Sequence, residues 1–345
     1  MEVKKVKAAP NKPVKNGKFI FGVYNTPYKE INMMDAKKVW KFPIPKFLQK
    51  LRLAEWQAFQ LWDGKYLIMC VVGVSHIAKN VMAEIYVYDN ELDKIIYKDF
   101  TITKKSYLSK DDGLIDSVVR LKTDRLEYKI SNDLGDSDTI SLNVKYNDFE
   151  LQFTGEHGSA TPLCYCMPFA KNRGLYSHKT YIKGNGYMVV GEQKIDFTDN
   201  ARMNVDDHKG YYPFKNTYDW MTASTIFNDK HVGITVTKNQ ILNPAVNNEN
   251  IIWINGEINY LPKVTFTREK DVSKEWRIKD DNGIVDLTFV PTKNDIGFFI
   301  RKLFGLILLN YYTPIGHLSG TVKIDDEAIE FNSALGIGER RIGRI

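Results

Sequence analysis

Cysteine is scarce in this sequence: Cys70, Cys164 and Cys166 are the only three among 345 residues. An odd count without an export signal argues against a disulfide-framed secreted fold and fits a reducing cytoplasm. The opening MEVKKVKAAPNKPVKNGKF is charged and holds no apolar segment of the kind a secretory leader needs. No stretch reaches the ~18–20 uninterrupted apolar residues of a membrane-crossing helix. The nearest, Ile296–Tyr312, is broken by Arg301 and Lys302. Nucleotide and hydrolase signatures are missing too. Gly184-Asn-Gly186 lacks a following helix and a Lys-Ser/Thr pair, and Ser224 stands outside any Gly-x-Ser-x-Gly elbow. Cys164-x-Cys166 has no second Cys/His pair at a zinc spacing, so buried thiols are expected rather than a metal. The net charge of +6, from 48 Lys+Arg against 42 Asp+Glu, is mild and spread, which argues against a nucleic-acid partner. No cofactor is implied.

What the chain has is alternation. Glu84–Asp89, Ser117–Lys122, Arg125–Ile130, Ile140–Tyr146, His231–Thr237, Trp276–Lys279 and Val285–Val290 each place apolar residues at every second position. That period belongs to half-buried strands. Asn147-Asp148, Asn228-Asp229, Asn255-Gly256, Asn282-Gly283 and Asp325-Asp326 punctuate them, and such pairs supply the positive φ of tight hairpins. Some sixteen to eighteen short strands are expected, too many for one small barrel and enough for two. One helix is expected within Ile44–Trp56, with Pro45 in its first turn and Phe47, Leu48 and Leu51 on one face. The division is placed near the strand Gly186–Val190, giving domains 1–190 and 191–345.

Several motifs recur in one order. Asp206, Lys209-Gly210, Tyr212-Pro213-Phe214, Thr217 and Trp220 resemble the signature of the family named domain of unknown function 2804. Ser177-His178-Lys179 before Gly186–Gly191, Asn255-Gly256 before Trp276-Arg277, and His317-x-x-Gly320 before Leu335-Gly336 agree with it. The resemblance runs from about residue 16 to the C-terminus. The family is similar to lipocalin-like proteins that include bacterial carotenoid hydratases and AttH-type proteins. That relation implies an all-β fold of tandem lipocalin-like (calycin-type) antiparallel β-barrels with short helical connectors. It also implies an acidic residue that protonates an alkene, and Asp206 is the one it points to.

The residues read by themselves leave choices. Adjacent carboxylates on a strand face opposite ways, so only one of Asp206 and Asp207 can enter a barrel. Inside, it would lose hydration and hold its proton for a carbon–carbon double bond. Alternatively Asp206 holds a corner and pairs with Lys209. His178 is the candidate acid–base partner of Asp206. Tyr212, Phe214, Trp220, Thr222, Ser224 and His317 are candidate ligand-wall residues. On the strand from Asp219, Trp220, Thr222 and Ser224 share one face, an indole beside hydroxyls, and ordinary core packing is the other reading of each ring. The run Phe298–Leu309 reads either as a buried strand pair or as a barrel-mouth loop touching a membrane periphery, its basic residues meeting anionic headgroups. The functional expectation is a hydrophobic small-molecule ligand, fatty acyl, isoprenoid or polyketide-like, enclosed in a barrel. Cofactor-free hydration, isomerisation or cyclisation is one outcome for it. Non-catalytic lipid carriage is the other.

Overall fold

The computed structural model describes residues 7–76, 79–104, 106–108, 113–303 and 307–344, without side chains at 106–108, 293–303 and 307–308. Of the Phe298–Leu309 run, the backbones of 298–303 and 307–309 pair where Val285–Leu303 meets Ile307–Ile324, and residues 304–306 and the side chains up to Leu308 lie outside the described residues. Among the described residues no helix is long and apolar enough to cross a membrane.

The chain is almost entirely antiparallel β, in two compact units. The first comprises Met1–Asp89 and Ile95–Tyr212, the second Asn90–Lys94 and Pro213–Ile345. In the first unit one sheet runs Lys94–Thr103, Asn80–Asp89, Tyr66–Ser75, Ala54–Trp62, Arg202–Gly210, Arg173–Val190, Phe149–Glu156, Thr139–Tyr146, Leu126–Asp133, Ser117–Lys122 and Ser106–Leu108. It curls into a nearly closed barrel. Phe59, Ile68, Val87, Tyr128, Leu142 and Val205 meet in its core. Leu126–Asp133 shows how the pattern builds it: Leu126, Tyr128 and Ile130 are buried while Glu127 is exposed. In the second unit the order is Glu257–Tyr260, Ile251–Ile254, Lys230–Lys238, Lys215–Phe227, Glu327–Arg344, Ile307–Ile324, Val285–Leu303, Trp276–Lys279 and Thr265–Arg268. That sheet forms a half-barrel over Met221, Ile234, Trp276, Leu287 and Phe331.

The division expected from the sequence lies near residue 190. The units part between Tyr212 and Pro213, because Arg202–Gly210 is hydrogen-bonded between Ala54–Trp62 and Arg173–Val190. Strand lengths differ from expectation as well: four strands run to 18 or 19 residues. Gly186 (φ +149°) and Gly320 (φ +121°) interrupt two of them in conformations that side chains rarely adopt, and a Cβ at either would overlap the carbonyl of the neighbouring strand. The turn signals hold. Asn228-Asp229 and Asn255-Gly256 each have both central residues at positive φ, as a tight hairpin requires.

The helix is shorter and differently anchored than expected. It spans Lys46–Leu51 after Pro45, and Trp56 already belongs to the strand Ala54–Trp62. Phe47 is 66% exposed and Leu48 41%, while Gln49 is buried. The Gln49 amide donates to Tyr211 Oη at 2.8 Å and Ala36 O at 3.1 Å. A buried amide must find partners, and here those partners fix which side of the helix turns inward.

Candidate functional site

Met203–Gly210 is buried on both faces, as are the neighbouring stretches of Ala54–Trp62 and Arg173–Val190. Polar groups set there lose water on either side and need protein partners. Register decides which ones. Asp206 stands opposite Lys179 and Ala58, Asp207 opposite His178 and Gln57, and His208 opposite Ser177 and Trp56. Met203 and Val205 belong to the barrel core. Asp207 continues their series and faces inward, and Asp206 faces the other way.

Asp206, the expected acid, therefore faces away from the barrel core. Its face carries a buried ion network. Lys179 Nζ, fully buried, lies 2.6 Å from Asp206 Oδ2. Ser177 Oγ donates to Asp206 Oδ1 at 3.3 Å, and His208 Nε2 is 3.3 Å from the same oxygen. His208 Nε2 also lies 3.0 Å from Tyr165 Oη. Trp56 meets His208 edge-on at 4.5 Å and stacks with Tyr212 at 5.6 Å. Both Asp206 oxygens are thus engaged by protein groups, and its cation is Lys179 rather than Lys209. Lys209 faces inward and lies 3.7 Å from Glu55, which also holds His76 Nε2 at 2.8 Å.

The inward face is built differently. Asp207, buried, accepts a hydrogen bond from the Tyr176 hydroxyl. Burial first, and then this carboxylate, push the Tyr176 phenol and the Cys164 thiol up. His178 lies across the strand pair from Asp207, fully buried, and its two ring nitrogens have no hydrogen-bond partner among the described residues. Nor has Thr180 Oγ1, two residues further along the same face, or Asn132 Oδ1. Asn132 Nδ2 donates to Ser117 Oγ at 2.8 Å and reaches Gln57 Oε1 at 3.5 Å. Each buried, unpaired polar atom costs about 1–3 kcal/mol. Several of them converging with a carboxylate, in an otherwise apolar barrel, describe a place for a ligand's polar group or an ordered water. Loss of hydration, then His157, hold the His178 pKa down to about 3, so the ring is neutral and one nitrogen can take a proton.

That depression has a consequence for stability. The unfolded chain's His178 takes a proton below about pH 6.5 and the folded one does not. Its contribution is complete above that pH and is lost as pH falls toward 3. His157, lowered mainly by burial, acts in the same sense. Replacing His178 with Asn is expected to reduce the slope of unfolding free energy with pH by about 1.4 kcal/mol per unit between pH 6 and 4. Urea melts at stepped pH measure it, and parallel slopes for wild type and variant would contradict the buried neutral ring.

The other candidates are placed as follows. Tyr212 packs on Trp56 and Phe169 in the first unit. Phe214, Trp220, Thr222, Ser224 and His317 belong to the second. Phe214 is 54% exposed. Trp220 and Thr222 are buried, but the second core is built on the opposite face, that of Met221 and Ala223. Thr222 Oγ1 donates to Ile234 O at 2.8 Å, so its hydroxyl serves the sheet. His317 Nε2 is 2.8 Å from Asn90 Oδ1, within the same unit. Cys164 and Cys166 are buried free thiols, and no cluster of metal-ligating side chains occurs among the described residues. Sequence reasoning missed Tyr176, Thr180, Gln57 and Asn132, which only strand register gathers around Asp207.

Solved structures of similar fold agree with this architecture. CghA with Sch210972 is 10% identical, with a TM-score of 0.58 over 84% of this chain and 87% of that one. A second CghA structure is 11% identical, with a TM-score of 0.56 over 98% and 97%. Kievitone hydratase from Nectria haematococca is 11% identical, with a TM-score of 0.52 over 84% and 88%. At such identities the likeness is one of fold. No curated protein matches the sequence. The family model described as "Domain of unknown function (DUF2804)" matches residues 4–344, and the chain belongs to that family.

Proposed function

We propose that the protein takes a long apolar or amphipathic molecule into the first barrel and performs cofactor-free acid–base chemistry at a carbon–carbon double bond. The observation that carries this reading is that strand register sets Asp207 opposite the neutral His178 on the inward face. Asp207, with one oxygen held by Tyr176, gives its proton to one alkene carbon. Water adds to the other carbon, and His178 takes the proton that water loses. Transfer of that proton back to Asp207 closes the cycle, and the net change is addition of water. If a substrate proton is removed instead, the double bond has moved. Apolar walls shield the cationic intermediate from bulk water. Kievitone hydratase is by its name a hydratase, and CghA is seen with Sch210972; both share this fold.

Incubation of unsaturated fatty acyl, isoprenoid and polyketide-like compounds in deuterium oxide tests the chemistry. Deuterium on a former alkene carbon is the expected result. A full panel bound but unlabelled would leave a carrier.

A further inference from the structure

We infer that the mouth of the first barrel holds the charged end of an amphipathic monoanion, a carboxylate on a hydrocarbon body. A cavity of about 570 Å³ opens there, lined by Phe47, Leu51, Val74 and Val81 and rimmed by Lys50, Ser75, His76, Lys79 and Asn80. That volume is in the range of small-molecule sites. Its floor rests on the barrel core: Val81 belongs to that core and Val74 packs against it. Val74 pairs with Glu55, and Glu55 with Lys209; the next inward row is Val72, Gln57 and Asp207. One two-residue step, roughly 7 Å along the strand, therefore separates the mouth row from the proposed acid.

Two features select the ligand. The first is charge. The cavity's lining residues include two lysines and a histidine and no carboxylate, and neither Lys50 nor Lys79 has an ion-pair partner among the described residues. The nearby carboxylate, Glu55, is held between His76 and Lys209. The second is Phe47. Gln49 anchors its helix, which leaves the Phe47 ring 66% exposed at the cavity with no role in holding the helix down. A hydrocarbon chain passing beneath it would cover that ring. The anion then stays at the rim, and the chain's interior reaches toward Asp207. This names a substrate class for the proposed chemistry, and rests on the reading that the barrel admits an apolar ligand.

Calorimetric titration with oleate and with oleyl alcohol tests it, on wild type and on the Lys50→Ala/Lys79→Ala variant, whose substitutions are exposed. Wild type is expected to bind oleate about fivefold or more tightly than the alcohol, and the double variant to lose that preference with alcohol affinity unchanged. Phe47→Ser is expected to weaken both. Equal affinity for the two in wild type, or an undiminished preference in the variant, overturns the inference and leaves the barrel reading intact. Absence of binding by either compound overturns both. Sedimentation with phosphatidylglycerol vesicles but not phosphatidylcholine vesicles, without binding of monomeric oleate, would assign the lysines to a lipid surface and overturn it as well. Asp207→Asn is expected to bind oleate as wild type does, so failure of the chemistry alone is read separately.

Discussion

Asp207→Asn is expected to lower deuterium incorporation or turnover by ~10²–10⁴-fold, the usual loss when a general acid is removed. The substitution keeps the size of the side chain and an oxygen to accept from Tyr176, and takes away the proton that can be given. Ligand affinity should change little, because the hydrocarbon body rests on apolar walls and not on this carboxyl. A fall in turnover at constant KM is the signature of an interaction made in the transition state alone. Asp206→Asn is the internal comparison: the same change, one residue away, on the opposite face. It weakens the contact with Lys179 and should reduce stability while activity per folded molecule survives. Asp207→Asn with undiminished turnover would remove the acid from this position, and undetectable turnover in both wild type and variant would favour carriage.

The contrast between these neighbours shows where the sequence stops informing. Alternation and turn chemistry are local, so Ser117–Lys122 and Trp276–Lys279 are legible to the residue and Asn255-Gly256 forms the hairpin its composition demands. Which face of a strand points inward depends on partners far away. A shift of one residue exchanges the faces, and nothing near Val205–His208 says that Gln57 and His178 will flank Asp207. His178 could be singled out because it stands in a motif; its orientation away from Asp206 could not. The helix makes the same point. Its apolar pattern puts Phe47, Leu48 and Leu51 on one face, but which side turns inward is set by Tyr211, 162 residues distant, which captures Gln49. The stretch from Val205 to Trp220 is at once the last strand of one barrel, a short break and the first strand of the next sheet, which is why it read as site, wall and corner together.

Lys179→Ala should be the most damaging single substitution to stability. The Lys179 side chain is fully buried and its ammonium sits 2.6 Å from a carboxylate that is itself 8% exposed. Removing one member of a buried pair strands the other charge without water, which costs about 3–5 kcal/mol. A large part of a typical domain's net stability would be lost. The loss lies in the uncompensated Asp206, not in the worth of the pair, since desolvation consumes much of the attraction between the two. Replacing both partners at once, Lys179→Met with Asp206→Leu, is therefore expected to recover most of the loss. Urea unfolding of the two single variants and the double measures the coupling. Additive losses, with the double variant weaker than either single one, would show that Lys179 and Asp206 hold the strands through Ser177 and His208 rather than through each other.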